Sequence, residues 1–142
     1  MLTSALPLVF LIAAIVVLGA RGNLYSSSPT LAAAQVVAIG LNLRARRSFP
    51  KDTFRVTAAP GGDAIIRHGP YRFIRHPMYS AVLLFVWAAV RGHLSRFTLA
   101  TGAVVTGAGI ARVIAEERLL RDQLPGYQDY AQDTKALVPY LL

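Results

Sequence analysis

From Phe97 to Ala115 the chain runs nineteen residues with a single charged side chain, Arg112, and then continues unbroken as EERLLRDQL until Pro125-Gly126. Nineteen residues at ~1.5 Å each are enough to cross a ~30 Å hydrocarbon layer as a helix. The charged continuation belongs in a polar layer, and the Pro-Gly step ends it. One element is therefore fitted to lipid over most of its length and to an interface at one end. Few soluble folds accommodate such a helix.

Three more apolar runs accompany it. Leu2 to Ala20 has no formal charge, Leu31 to Leu43 is short, and MYSAVLLFVWAAV occupies 78–90. Charged residues make up 15% of the chain and hydrophobic ones 54%, where a soluble domain carries about 25% charged residues. The first run has no Lys or Arg ahead of Arg21, so it lacks the basic leader of a secretory signal and reads as an uncleaved span. The expected fold is all-α, an integral-membrane bundle of about four transmembrane helices. Residues 1–142 form a single membrane domain. It divides into an N-terminal two-helix hairpin (1–48), a basic loop (49–76), and a C-terminal helical hairpin with an amphipathic tail (77–142). AAPGGD at 58–63 reads as a turn, AIIRHGPYRFI as extended, and RGHLSR at 91–96 as a turn.

Basic residues set the orientation. Eight Lys and Arg lie between the second and third runs; Arg21 alone lies between the first and second, and Arg91 and Arg96 between the third and fourth. The positive-inside rule places the basic loop and both termini in the cytoplasm, and the short, PGY-containing chain is expected in a bacterial inner membrane. The EERLLRDQL end then shares a face with the basic loop. Small-residue pairs at four-residue spacing (Ala34 and Ala38, Ala103 and Gly107, Gly107 and Ala111) predict close helix packing and allow a homodimer. Without cysteine there is no disulfide or thiolate nucleophile. No spacing of acids and histidines supports a metal site. The basic loop lacks the aromatic interleaving of a nucleic-acid module; anionic membrane lipids account for its charge.

Two clusters can carry chemistry. Glu116 and Glu117 end the long apolar stretch. The plainer reading pairs them within their helix, with Arg112 and Arg121 respectively four residues away. Arg75-His76-Pro77 opens the third run. The plainer reading has Arg75 and His76 snorkelling at the headgroups and Pro77 starting a helix; the functional one has Arg75 clamping an anion. His93 falls on the opposite side and reads as a turn residue. Tyr71 and Tyr79 are interfacial aromatics or ligand walls.

Taken jointly, GPYRFIRHPMY, then EERLLRDQLPGYQDY, then LVP resemble the isoprenylcysteine carboxyl methyltransferase family, integral-membrane enzymes that in turn resemble phospholipid methyltransferases. The resemblance covers roughly Ile65 to Pro139. It implies a helical bundle with a cytoplasmic cofactor pocket that binds S-adenosyl-L-methionine where the RHP segment and the double glutamate converge. Carried over, the cofactor-binding residues are Ile65, Gly69, Tyr71, Arg75, His76, Pro77, Tyr79, Glu116 and Glu117. Arg75 and Glu117 are the catalytic candidates, and Arg121 and Lys135 the substrate candidates. The chain departs from the family pattern at Asp63 and Ala136, where a basic residue is frequent, and at Ala81, where glycine is. The implied activity is methylation of a hydrophobic or membrane-associated acceptor. The alternatives are an NADPH-dependent membrane reductase of the sterol-reductase type and a non-enzymatic lipid-binding bundle.

Overall fold

The computed structural model describes residues 12–48 and 65–137. The AAPGGD turn, Asp63, Leu2 to Leu11 of the first apolar run, and Val138 and Pro139 of LVP lie outside them. The described residues are helical, without strands: α1 (12–20), α2 (Pro29–Arg47), a short 3-10 helix (Gly69–Arg72), α3 (Pro77–Gly92), α4 (Arg96–Gln123) and α5 (Tyr127–Asp133). One of them, α4, is long and apolar enough to cross a membrane; α3 is apolar but has 16 residues.

Local chemistry explains the boundaries. Pro29 and Pro77 stand in the first turns of α2 and α3, where a missing N–H costs nothing. α2 outruns its apolar stretch and takes in Arg44, Arg46 and Arg47. Cations in a last turn complement the helix dipole, which is why the basic run is helical there. α4 begins with a reciprocal cap: the Ser95 hydroxyl accepts from the Thr98 N–H at 3.1 Å, and the Ser95 N–H donates to Thr98 Oγ1 at 3.0 Å. Gly126, at φ 81°, supplies the left-handed residue that separates α4 from α5.

The expected extended stretch before Arg75 is only partly so. Residues 65–68 are irregular, and Gly69 at φ 61° turns the chain into the 3-10 helix. That glycine is also a close approach, since a Cβ there would lie 2.8 Å from Ser48 Oγ.

α3 packs against both α2 and α4, the 3-10 helix against α2, and α5 against α4. An apolar core joins Ala14 and Leu18 of α1, Val86 and Val90 of α3, and Val105 of α4. Ala38 is buried on α2, as its spacing predicts. On α4 the prediction needs correcting. Ala103, Gly107 and Ala111 are exposed. The close approach to α3 uses Gly102, where a Cβ would meet Val90 Cγ2 at 3.1 Å, and Gly109, which faces Leu83. Away from the site, His93 Nε2 donates to the Tyr25 carbonyl at 2.8 Å, tying the α3–α4 turn to the α1–α2 loop.

Candidate functional site

The corner at Arg75-His76 is held in place by the tail. Ile74 and Lys135 form a parallel bridge. The Arg75 N–H donates to the Lys135 carbonyl at 2.7 Å, His76 N–H to Ala136 at 3.0 Å, and Lys135 N–H to Phe73 at 3.1 Å. Ser80 Oγ adds a bond to the Leu137 carbonyl. Pro77, fully buried, then starts α3 and sends the chain away. The side chains of Arg75 and His76 are thereby aimed at α4.

There they meet both glutamates. Glu117, 8% exposed, accepts on Oε1 from three donors: Arg75 Nε at 2.8 Å, His76 Nε2 at 2.9 Å and the Tyr127 hydroxyl at 3.0 Å. Its Oε2 takes Arg121 at 3.2 Å. Glu116 Oε1 accepts from the Tyr79 hydroxyl at 2.8 Å and Arg112 Nε at 2.9 Å, and its Oε2 lies 3.5 Å from His76 Nδ1. Arg112 Nε also reaches the Tyr79 hydroxyl at 3.1 Å.

The local pairing is present, and it does not exhaust the contacts of the two acids. Both intrahelical pairs, Arg112–Glu116 and Arg121–Glu117, are present. The same carboxylates bind residues some forty positions away. Although neighbouring helix positions point ~100° apart, the two acids converge because His76 stands between them, with a carboxylate beside each ring nitrogen.

The electrostatics follow from this crowding. Burial by itself would push His76 down, but the carboxylates of Glu116 and Glu117 outweigh it and hold its pKa above the usual imidazole value. Burial, reinforced by the charge of Glu117, pushes Tyr127 up. Burial, then the nearby Tyr130 and Glu116, does the same for Tyr71. Tyr130 rises to about 12, chiefly by burial. These phenols stay protonated, and those of Tyr127 and Tyr130 act as donors. Counting formal charges, three guanidinium groups and a raised histidine surround two carboxylates, so the cluster carries an excess of positive charge.

The other expected site residues are more dispersed. Ile65 is half-buried against Leu124, Tyr127 and Tyr130. Tyr71 is buried, and its carbonyl accepts from the Tyr130 hydroxyl at 2.6 Å. Gly69 serves the approach to Ser48. Lys135 joins through its backbone, while the residue itself is exposed. Sequence reasoning gave Arg112 only a local role, whereas it is 4% exposed and reaches across to α3. It carried Tyr127 only inside the quoted motif and assigned it no role. The available signal was the Y-x-x-Y spacing of 127 and 130, which puts two aromatics on one face of a short, otherwise polar helix. It also missed how far Arg75 is engaged: its Nη1 donates to the Ala131 carbonyl at 2.8 Å and to the Thr134 carbonyl.

Comparison with known proteins bears on the whole arrangement. No curated protein and no solved structure matches the chain. The sequence model of the phospholipid methyltransferase family matches residues 30–125, a stretch that includes α3, the Arg75-His76 corner and both glutamates. With more than half its length matched, and with the two segments of that match locked together across His76, the chain belongs to the phospholipid methyltransferase family of integral-membrane methyltransferases.

Proposed function

We propose that this protein is an S-adenosyl-L-methionine-dependent methyltransferase, similar to the isoprenylcysteine carboxyl methyltransferases, acting on a hydrophobic or membrane-associated acceptor at the cytoplasmic face. Family membership supports the reaction class. The eight basic residues between the second and third apolar runs support the sidedness. The observation that carries the reading is the docking of His76 between Glu116 and Glu117, with Arg75 alongside.

The donor set suits a zwitterionic amino-acid moiety with ribose hydroxyls. Arg75, with Nε and Nη1 engaged, keeps Nη2 as a donor for a carboxylate; His76, with a glutamate at each ring nitrogen, orients Glu116 and Glu117 as acceptors for an ammonium group or hydroxyls; Tyr71 and Ile65 are flat or apolar walls. The cofactor, when bound, supplies an electrophilic methyl group on sulfur. The protein's part is positioning and exclusion of water, since in-line methyl transfer gains most from alignment. Arg75 and Glu117 are the residues to which that alignment is assigned. Their mutual bond fixes the guanidinium, and the buried carboxylate is kept ionised by three donors. Tyr79 and Arg112 hold Glu116 in register, and Tyr127 does so for Glu117.

Calorimetric titration of the purified protein in detergent tests the reading. S-adenosylhomocysteine is expected to bind with a single site and NADPH not to bind. His76→Ala and Glu117→Gln are expected to abolish the heat. Binding of NADPH alone overturns the proposal. Transfer of label from methyl-labelled cofactor into lipid extracts then identifies the acceptor.

A further inference from the structure

The end of α5 and the corner that opens α3 are joined by more than the bridge at Ile74. α5 has seven residues, and the carbonyls of its last turn lack partners within the helix. Two of them are satisfied from outside. The buried Thr134 folds its hydroxyl back onto the Tyr130 carbonyl at 2.6 Å. Arg75 Nη1 donates to the Ala131 carbonyl at 2.8 Å. Arg75 therefore caps α5, at the end where the helix dipole favours a cation.

Thr134 then leaves the helix with an extended backbone, at φ −128° and ψ 156°. Its own carbonyl is turned onto Arg75 Nη1. The residues that follow run beside the corner, with Lys135 and Ala136 bonded to the backbone of Phe73, Arg75 and His76. At its other edge the same guanidinium donates from Nε to Glu117 at 2.8 Å.

A guanidinium is planar, and its N–H groups point in fixed directions within that plane. A contact at Nε alone leaves the plane free to turn, and a long side chain has much rotamer freedom to lose. Contacts at both Nε and Nη1 set the plane, and with it the direction of Nη2, the donor left for a ligand carboxylate. Any residue at 134 offers a carbonyl. Threonine adds the hydroxyl that holds the turn in which this carbonyl faces Arg75.

We propose that Thr134 is a positioning residue for the ligand site: by ending α5 and aiming its carbonyl at Arg75 it fixes that guanidinium, so that docking of the tail and binding of a zwitterionic ligand at the junction strengthen each other. The identity of the ligand rests on the methyltransferase reading; the fixing of Arg75 does not. A pre-set donor spares the ligand the cost of ordering it. By reciprocity the bound ligand holds the tail more firmly.

The test uses the full chain in detergent micelles and reads the Arg75 Nε–H NMR signal, with calorimetry of S-adenosylhomocysteine beside it. In the native chain the signal is expected to be sharp and shielded from solvent exchange. Thr134→Val is expected to broaden it and to weaken S-adenosylhomocysteine about fivefold, the scale of one lost hydrogen bond. Thr134→Ser, which restores the hydroxyl, is expected to recover both, and the exposed Gln132→Ala to change neither. Saturating S-adenosylhomocysteine is expected to slow hydrogen exchange of the Lys135 amide in the native chain. That measurement needs no variant, so it decides the linkage even if Thr134→Val fails to fold. An Arg75 signal unmoved by Thr134→Val, a serine variant that behaves as the valine one does, or a Lys135 amide that exchanges no more slowly with the ligand bound overturns the proposal. If no S-adenosylhomocysteine binds but the Arg75 signal responds as described, the positioning of Arg75 stands and the methyltransferase assignment falls. Binding with an unresponsive signal removes the role of Thr134 alone.

Discussion

The apolar core where α1, α3 and α4 meet and the ionic junction where α3, α4 and α5 meet are both buried, yet they are held together in different ways. In the first, Leu18, Val86, Val90 and Val105 fill space, and each touches several others. Shape is the only requirement, and a smaller residue leaves a gap whose walls can relax. In the second, His76, Arg112 and Glu117 are buried with their charges. Among the described residues no buried side-chain nitrogen or oxygen lacks a partner. A network satisfied to that degree fails as a unit, because each member removed leaves charged neighbours without a counterpart. The apolar end is thus expected to tolerate substitution gradually and the ionic end abruptly.

The sharpest challenge to that contrast is Glu117→Ala. It leaves Arg75, His76 and Tyr127 without their common acceptor. Breaking a buried pair from one side typically costs about 3–5 kcal/mol, and denaturant unfolding in detergent is expected to show a loss of that order together with loss of S-adenosylhomocysteine binding. Leu18→Ala, at a fully buried apolar position, is expected to cost less, roughly 2 kcal/mol, at the low end for such truncations. Lipid and detergent tails are as apolar as leucine, so mainly the packing term is lost. Cofactor binding is expected to survive it. Equal losses from the two variants dissolve the distinction.

The two regions also differed in how legible they were. Apolar runs, Pro77 and the Pro125-Gly126 step mark α3 and α4 plainly, because lipid compatibility and helix termination are written in residue type. The meeting of His76 with Glu116 and Glu117 was readable only through the joint motif pattern, since nothing local ties positions forty residues apart. The tail's attachment left no trace. It is made by backbone bonds at Ile74 and Lys135 and by Arg75 on two carbonyls, which any side chain at 131 or 134 would offer. The packing face of α4 was misjudged because four-residue spacing of small residues recurs around the helix, and only contact with α3 picks out Gly102 and Gly109 over Ala103, Gly107 and Ala111.

A pH titration sharpens the comparison further. The pKa of His76 is raised by its two carboxylates against the pull of burial. Its charged form is therefore the one the folded state prefers. The stability it contributes is complete below the ordinary histidine value of about 6.5 and fades as pH climbs through the raised value. The thermal midpoint in detergent is expected to decline over that alkaline-side window in the native chain and to stay flatter in His76→Gln. A decline of the same size in His76→Gln assigns it to other groups.

The smallest effect on stability is expected at the margin of the ionic junction. Arg121 pairs with Glu117 as an i,i+4 neighbour, but more than half of its side chain meets solvent. Such pairs contribute about 0.3–0.5 kcal/mol, and Glu117 retains its three other donors when Arg121 is lost. Arg121→Gln is therefore expected to unfold almost where the native chain does, in contrast to Glu117→Ala only one helical turn away. Were Arg121→Gln to destabilise the protein as much as Glu117→Ala, the arginine would belong to the junction itself, and the boundary drawn between the buried ion cluster and its exposed rim would have to move outward to include it.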